Sequence, residues 1–462
     1  MDAAPSTGEN PRMSGTPSSK PFSWEYRPVA LAKEAFHISG GRPLSGSVRV
    51  SGAKNAALKM MAASVLTGER LHLDNVPEIL DIEVLRDTLR DLGVAVERGS
   101  DGGMDLTAGD VEWLFVPLEA AAKMRASFML LGPLLARFGR VIISNPGGDR
   151  IGRRPVNLHV DAMRALGAEI DYRDGYYFAK SNGRLRGATI VFPHVTVMGT
   201  ENAMLAAVLA EGTTTITPAA QEPEVDDLIA LLNSMGAKVA RTAPDVIEIH
   251  GVASLHGATH RVMPDRIEAG TFATAAAVVG GSIEIQGVEP THLASFIELL
   301  DRTGVEHRVD GTSLHVAGTP HGQGSYRATE IVTAPYPGLA TDLQPSAGLI
   351  LTRADGVSSI HETIFEDRLE WLVGLRNFGA QVEIQDARHA RITGPTAFHA
   401  AEADIPDLRA GATLMLAALA APGKSKIHGA HHIRRGYATI EEKFRGLGAD
   451  LTHVSEEGST AG

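Results

Sequence analysis

The run Ile82–Val94 reads IEVLRDTLRDLGV, and its apolar residues together with its glycine indicate how the chain folds. Between Ile82 and Leu92 the apolar side chains recur at spacings of 3, 4 and 3 residues, which places them on one face of an α-helix. Gly93 stands where such a helix would end in a residue of left-handed backbone conformation, which glycine adopts without strain. A strand-like run follows. The stretch therefore predicts an amphipathic helix that ends at a glycine and leads into a strand.

The same ending occurs six times along the chain, with an apolar or small residue before the glycine and Ala or Val after it. The copies are Leu92-Gly93-Val94, Leu166-Gly167-Ala168, Met235-Gly236-Ala237, Thr303-Gly304-Val305, Phe378-Gly379-Ala380 and Leu447-Gly448-Ala449. Their glycines lie 74, 69, 68, 75 and 69 residues apart. Regular spacing of this kind predicts six repeated supersecondary units of about 70 residues.

A second set of segments is small and apolar on every side, which is typical of buried helices. These segments are Asn55–Leu66, Asn202–Leu209, Ala269–Val279 and Ala410–Ala421. Each unit should therefore contain one buried helix, one amphipathic helix and several short strands, which is an α/β fold.

Six units suggest two similar α/β domains of three repeats each, with a crossover near Arg261–Arg266, where the pattern breaks. We expect a disordered N-terminal extension over residues 1–36, since that part is rich in Ser, Pro and Gly. The first domain would comprise residues 54–263, the second residues 37–53 plus 264–455, and residues 456–462 would be a tail. A single long solenoid is the alternative, although solenoid repeats are usually shorter.

The composition limits the function further. Apolar residues make up 44% and charged residues 21% of the 462, as in a globular protein, and the absence of cysteine excludes thiolate chemistry. A net charge of −12 argues against a nucleic-acid partner. No apolar core of about 7–15 residues follows a basic start, so we expect no secretory signal, and the apolar stretch 410–422 is too short to span a bilayer. We expect a cytoplasmic protein without a membrane partner.

Several short runs carry residues suited to binding a small anion and moving protons. The run 145–155, NPGGDRIGRRP, combines a mobile Gly-Gly turn, the acid Asp149 and a cluster of arginines. Lys54 begins a buried helix, at the end that attracts anions. A stiff segment, 333–342 (TAPYPGLATD), ends in Asp342, which could act as a general base or simply cap the next helix. Arginines also precede apolar or helical segments at Arg125, Arg368, Arg409 and Arg435. Each run alone is compatible with a solvated surface.

Together and in order, the motifs resemble those of the UDP-N-acetylglucosamine enolpyruvyl transferase family. The matching motifs are SGAKNAAL, MRAS, PGGxxIGxRP, TAPYPGxxTDxQ, ETIFExR, DLRA and RGY, and the resemblance runs from about Phe36 to Val454. It implies two inside-out α/β barrel domains, each with three repeats. It also implies transfer of the enolpyruvyl group of phosphoenolpyruvate to a hydroxyl of a uridine nucleotide through a tetrahedral ketal, with release of phosphate. No cofactor or metal is implied, and we expect a monomer.

The resemblance assigns roles residue by residue. Lys54, Arg125, Arg154 and Arg435 would hold the anionic groups, and Asn55 would bond the intermediate. Asp342 would take the proton of the attacking hydroxyl. Asp149 would protonate the methylene carbon, which requires that burial raise the pKa of its carboxyl. The remaining implied site residues are Arg368, Asp407 and Arg409, which would order the site or handle protons, and, on the nucleotide side, Pro155, Val156, Asn157 and Thr196.

One position has a pharmacological consequence. Many members of the family carry cysteine at the position of Asp149, and the antibiotic fosfomycin alkylates that thiol. The resemblance therefore implies that this protein resists fosfomycin.

Departures from the family pattern lie on the nucleotide side. The usual Ser-Val-Gly-Ala-Thr-Glu-Asn is here Thr196–Asn202 (TVMGTEN), so Met198 replaces a glycine. His194, Asn157 and Arg434 replace a lysine and two aspartates. These changes favour uridine monophosphate as the acceptor, at its 3′-hydroxyl, as in the branch of the family that serves nucleoside-antibiotic biosynthesis. The alternatives are the UDP-N-acetylglucosamine reaction of peptidoglycan synthesis and a non-catalytic paralogue that only binds nucleotide.

Overall fold

The computed structural model describes residues 33–100, 102–149, 151–319 and 326–456. Most of the expected N-terminal extension (1–32), Arg150 and the end of the tail (457–462) lie outside the described residues. No helix in the described part of the chain is long and apolar enough to cross a membrane.

The described residues form strands and helices in alternation. The strands, in chain order, are β1 (Lys33–Gly40), β2 (Leu44–Arg49), β3 (Arg70–Asp74), β4 (Ala95–Arg98), β5 (Met104–Thr107), β6 (Phe115–Val116), β7 (Arg140–Ser144), β8 (Glu169–Arg173), β9 (Tyr176–Lys180), β10 (Thr189–Val191), β11 (Thr213–Thr217), β12 (Lys238–Ala243), β13 (Val246–His250), β14 (Ala258–Arg261), β15 (Gly281–Gln286), β16 (Glu306–Asp310), β17 (Ser313–Gly318), β18 (Tyr326–Arg327), β19 (Glu330–Val332), β20 (Ala354–His361), β21 (Gln381–Ile384), β22 (His389–Gly394), β23 (Glu402–Asp404), β24 (Gly423–His428) and β25 (Asp450–Glu456). The α-helices are α1 (Lys54–Ala63), α2 (Leu80–Asp91), α3 (Leu118–Ala121), α4 (Leu131–Phe138), α5 (Asn157–Ala165), α6 (Val197–Ala207), α7 (Pro223–Ser234), α8 (Arg266–Val279), α9 (Ala294–Thr303), α10 (Gln344–Leu351), α11 (Trp371–Arg376), α12 (Leu408–Ala420), α13 (His431–Arg434) and α14 (Ile440–Gly446). Short 3₁₀ turns cover Ser64–Leu66, Arg125–Leu130, Pro290–Leu293 and Thr341–Leu343.

The described strands form six sheets that share one connectivity. Their strand orders are β14-β3-β5-β4, β6-β7-β9-β8, β10-β11-β13-β12, β16-β17-β15-β2, β18-β20-β22-β21 with β19 also on β20, and β23-β24-β1-β25. In each sheet the pairing at one edge is parallel and the other pairs are antiparallel; in the fifth sheet both β18 and β19 pair in parallel with β20. The strand at the antiparallel edge of each sheet follows one of the six glycines, and all six glycines have positive φ, between 79° and 100°, as expected for helix ends.

The helices predicted to be buried are buried. All residues of α8 and α12 are buried, and so are most residues of α1 and α6. The sheets lie outside these helices, since their strands alternate between buried and exposed residues. Helices inside and sheets outside are the reverse of an ordinary α/β barrel.

Two hydrophobic cores divide the chain. One is formed by residues between Ala53 and Met263, joined by Ala438. The other combines residues from Phe36 to Val50 with residues from Ile267 to Leu451. The first two strands therefore belong with the second half of the chain, which does not agree with a single solenoid. The expected extension is also too long, because Lys33–Gly40 is a strand that pairs with β24 and β25 and buries Phe36 and Ile38.

The chain passes between the two cores twice, and the two passages are bonded to each other. The Ala53 amide donates to the Met263 carbonyl at 2.8 Å, and the Asp265 amide donates to the Ser51 carbonyl at 2.9 Å. Lys54 follows the first passage directly, so the start of α1 lies at the boundary between the cores.

Candidate active site

A cavity of about 110 Å³ lies between the two cores and is lined by charged side chains from both. Nine of the fourteen site residues expected from the sequence line it: Lys54, Asn55, Arg125, Asp149 and Arg154 from the first core region, and Asp342, Arg368, Arg409 and Arg435 from the second. These residues lie at helix ends, in 3₁₀ turns and in loops beside the helices, so the rigid helices hold them in place. The residues come from separate repeats and face one space.

Asp342 is at the centre of the charged residues that the second core region contributes to the cavity. Its Oδ1 accepts from Arg368 Nη2 at 3.0 Å, its Oδ2 accepts from Arg409 Nη2 at 3.1 Å, and Asn55 Nδ2 lies 3.4 Å from Oδ2. Burial raises the pKa of this carboxyl, but Arg409 and Arg368 outweigh burial, and the pKa lies far below its ordinary value. Asp342 is therefore a fixed carboxylate that touches both cores. It does not cap the following helix, which was the alternative for this position.

A second charge chain crosses the cavity through Asp81. Lys54 Nζ lies 2.7 Å from Asp81 Oδ2, and Arg435 Nε donates to Asp81 Oδ1 at 3.0 Å. Arg435 also donates through Nη1 to Asp149. The buried Asp81 carboxylate thus binds both Lys54 and Arg435, which the sequence resemblance assigns to substrate binding. Arg435 in turn binds Asp149 on the loop.

Asp81 was missed by the sequence reading, although a signal was available. It precedes Leu85 by four residues in α2, so it lies on the buried stripe of that amphipathic helix, together with Ile82 and Leu89. A carboxylate on an apolar stripe is rarely buried without a cationic partner.

The protonation of Asp149 differs from the expectation. Burial raises the pKa of this carboxyl, as expected, but the positive charges of Arg435 and Lys54 outweigh burial. The net pKa lies below its ordinary value, so Asp149 is an ionised partner of Arg435 in this arrangement. The expectation took account of burial but could not include Arg435, which is distant in sequence.

Arg125 and Arg154 stand apart from these pairs. Within the described residues neither guanidinium makes a hydrogen bond or ion pair with a side chain, although Arg154 lies over the Phe365 ring at 5.5 Å. Burial, together with the positive charge of Arg154, lowers the pKa of Arg125 to about 10. Two partly buried guanidiniums close enough to repel each other are suited to a shared anionic ligand.

The loop that carries Asp149 is fastened to the second core. The Arg153 amide donates to Glu366 Oε1 at 2.8 Å, and the Asp367 amide donates to the Ile151 carbonyl at 3.3 Å. Gly152 has φ +131°, and a Cβ there would lie 2.7 Å from Glu366 Oε2. The loop therefore lies closed over the cavity, and closure depends on the absence of a side chain at Gly152.

The five other expected residues lie outside the cavity lining. Pro155 and Asn157 are exposed, and Val156 is buried just before α5. Thr196 is the N-cap of α6 and accepts from the Gly199 amide at 3.3 Å. Asp407 is the N-cap of α12 and accepts from the Arg409 amide at 2.8 Å and from the Ala410 amide at 3.1 Å. Asp407 thus positions Arg409 and does not itself face the cavity.

Two residues extend the lining on the α1–α6 side. Lys59 follows Asn55 by one helical turn, and Met198 lies in the first turn of α6. Met198 had been identified from sequence as a departure on the nucleotide side, whereas Lys59 had not been singled out. Within the described ranges, no group of three or more His, Asp or Glu side chains is arranged to hold a metal ion.

Comparison with known proteins places this geometry in context. Residues 38–444 match the family model described as EPSP synthase (3-phosphoshikimate 1-carboxyvinyltransferase). UDP-N-acetylglucosamine 1-carboxyvinyltransferase of Desulforapulum autotrophicum is 43% identical over 91% of this chain and all of that protein, and the enzyme of that name from Idiomarina loihiensis is equally similar, with the same coverage. Among solved structures, the enolpyruvyl transferase NikO from Streptomyces tendae is 27% identical, with a TM-score of 0.83 over 92% of this chain and all of that chain.

Proposed function

Since this chain belongs to the EPSP synthase family of enolpyruvyl (1-carboxyvinyl) transferases, we propose that it transfers the enolpyruvyl group of phosphoenolpyruvate to a hydroxyl of a uridine nucleotide sugar and releases phosphate. The observation that carries the proposal is the cavity itself: it joins two aspartates to Lys54, Arg125, Arg154 and Arg435 between two cores. Enolpyruvyl transfer needs cations for a carboxylate and a phosphate together with groups that move two protons.

The comparisons with known proteins support the fold class and the enzyme class. The family has two inside-out α/β domains, and the chain is an enolpyruvyl transferase rather than a binding-only relative. We further propose that the chain contains six repeats in two domains, with boundaries at residues 54–263 and at 37–53 plus 264–455. The six sheets and the two cores support them.

In the proposed addition step, the acceptor hydroxyl attacks C2 of phosphoenolpyruvate while its proton passes to Asp342. A proton passes to the methylene carbon C3 from Asp149, and the product is a tetrahedral ketal that still carries the phosphate. Elimination then returns a proton from C3 to the Asp149 carboxylate, breaks the bond between C2 and the phosphate oxygen and restores the double bond, while the leaving phosphate takes up the proton held by Asp342. The proximity of Asn55 to Asp342 supports an acceptor hydroxyl at this point.

Asp149 must be protonated before it can act as an acid, and its pairing with Arg435 opposes that. We infer that an anionic group of phosphoenolpyruvate draws Arg435 away from Asp149. Burial would then dominate and raise the pKa of the Asp149 carboxyl. The same argument applies to Asp342, whose carboxylate is a weak base while Arg409 and Arg368 both bind it.

For the acceptor we propose UDP-N-acetylglucosamine, because relatives named UDP-N-acetylglucosamine 1-carboxyvinyltransferase are 43% identical to this chain over their full length. Uridine monophosphate is the second candidate. The observation in its favour is Met198, whose side chain lines the cavity at a position where the family usually has glycine and the backbone can approach a phosphate. Arg434 also departs from the family pattern; its Nη1 lies 3.8 Å from Glu34 Oε2, so its charge is partly balanced by Glu34.

The test is phosphate release from phosphoenolpyruvate with each acceptor in turn. Turnover with UDP-N-acetylglucosamine supports the first candidate, and turnover with uridine monophosphate alone supports the second. No phosphate with either acceptor, from folded protein, would contradict the proposed function. Met198→Gly, with Met198→Leu as a control of similar volume, should lower the KM for UDP-N-acetylglucosamine if Met198 restricts the diphosphate.

A further inference from the structure

Lys59 is a buried cation in the cavity that the proposed mechanism does not use. It lies four residues after Asn55 on α1, so the two side chains share one face of the helix. Its side chain is only 7% exposed, and it lines the cavity next to Met198. Asn55 contacts Asp342, where the acceptor hydroxyl is proposed to react, and Lys59 follows Asn55 by one helical turn.

The partner of Lys59 balances its charge incompletely. Its Nζ donates to the Asn55 carbonyl and lies 3.3 Å from Glu201 Oε2, which is longer than is usual for a charged pair. Glu201 is fully buried, and neither of its oxygens has a hydrogen bond within the described residues. Burial raises the pKa of the Glu201 carboxyl to about 7, because Lys59 offsets only part of the cost of burial.

The other paired cations of the cavity are bound more closely. Lys54 lies 2.7 Å from Asp81, and Arg409 lies 3.1 Å from Asp342 through a well-formed hydrogen bond. The charge of Lys59 is therefore neutralised less completely by its carboxylate partner than the charges of Lys54 and Arg409 are. A buried ammonium with an incomplete counter-charge is suited to an anionic group of a ligand.

We propose that Lys59 is a further substrate-binding residue that holds a phosphate group of the acceptor nucleotide, while Glu201 is its counter-ion within the protein. The inference rests on the proposed function, since it takes the acceptor hydroxyl to lie at Asn55 and Asp342. It adds a contact on the acceptor side, separate from the arginines proposed to hold phosphoenolpyruvate. Both candidate acceptors carry a phosphate within reach of a sugar hydroxyl.

The test compares the full-length protein with the double variant Lys59→Met/Glu201→Gln, which removes the ammonium without leaving a buried unpaired carboxylate. Glu201→Gln alone is the matched control, because it keeps Lys59 and changes only the counter-ion. Binding of uridine monophosphate and of uridine, which lacks the phosphate, is measured by calorimetry for each protein. Thermal unfolding checks that each variant is folded.

We expect the double variant to lose roughly 10- to 150-fold of the preference for uridine monophosphate over uridine, as for loss of one hydrogen bond to a charged group. Glu201→Gln should keep that preference. If the double variant keeps it as well, Lys59 has only a structural role and the inference is wrong. Failure of the proposed function would appear separately, as absence of phosphate release by the wild-type protein, and the binding comparison would still decide the role of Lys59.

Discussion

Arg409 Nη2 and Asp342 Oδ2 lie 3.1 Å apart, and this contact joins the first turn of α12 to the 3₁₀ turn before α10. Arg409 is fully buried and reaches Asp342 because Asp407 caps the helix and fixes its first turn. The carboxylate of the proposed base is thus oriented from within the second core, whereas its contact with Asn55 comes from the first.

We expect Asp342→Ala to lower turnover by about 10²- to 10⁴-fold, the usual contribution of a positioned acid or base. Binding of phosphoenolpyruvate should survive, because Lys54, Arg125, Arg154 and Arg435 remain. Phosphate release and calorimetry measure the two effects. Asp355→Ala, an exposed acid on β20, is the control. Turnover near the wild-type rate in Asp342→Ala would show that another group takes the proton.

Asp149 leads to a prediction about fosfomycin. The purified protein should keep its activity on incubation with fosfomycin, because the chain has no cysteine and a carboxylate replaces the thiol that is alkylated in many relatives. Asp149→Cys should be inactivated in a time-dependent manner, as followed by residual activity and by the mass of the intact protein. Covalent modification of the wild-type protein at Asp149 would contradict the prediction.

Removal of Asp81 should destabilise the protein, since Lys54 and Arg435 would lose a shared buried counter-ion. We expect Asp81→Ala to lower the free energy of unfolding by about 3–5 kcal/mol, as measured in urea. Asp87→Ala is a matched control in the same helix, because Asp87 is exposed and pairs only with surface arginines; it should cost at most about 1 kcal/mol. Equal losses in the two variants would mean that the buried position of Asp81 has no special effect.

Gly152→Ala should impair closure of the loop that carries Asp149. The added Cβ would meet the Glu366 carboxylate, and φ +131° is strained for alanine. We expect kcat to fall at saturating substrate. Gly175→Ala, at φ +84° with open space around it, tests strain alone and should leave kcat unchanged. If Gly152→Ala also turned over normally, the contact with Glu366 would not be needed for catalysis.

His159 should make the fold sensitive to acid. Burial, together with the positive charge of Arg125, lowers the pKa of this histidine from 6.5 to about 3. Between these values the unfolded chain binds a proton that the folded chain does not, so stability falls as the pH drops below about 6.5, by at most about 1.4 kcal/mol per pH unit. Urea unfolding at several pH values should show a smaller slope in His159→Phe. An unchanged slope would exclude His159 as a source of acid sensitivity.

The architecture was largely predictable, because its determinants are local. The helix-ending glycines have the expected positive φ, and the all-apolar segments are the buried helices α1, α6, α8 and α12. The start of the first strand was missed, because the pairing of Lys33–Gly40 depends on β24 and β25 at the other end of the chain.

Part of the cavity lining was predictable from the sequence, but the charge states of its residues were not. Motif resemblance identified nine residues that line the cavity. It could not give the partner of Arg435, and therefore the pKa of Asp149, because Asp81, Asp149 and Arg435 meet only after three distant segments have folded together. Asp407, expected to order the site or handle protons, caps the helix that carries Arg409.

The placement of the first two strands sets the order in which the chain can mature during synthesis. All residues of the first core except Ala438 have been synthesised once the chain reaches Met263. Strand β2 must wait for β15, and β1 must wait for β24 and β25 near the carboxyl terminus. The second core, and with it the cavity, can therefore be completed only when translation is nearly finished, so a truncated product would hold a folded first half without a usable site.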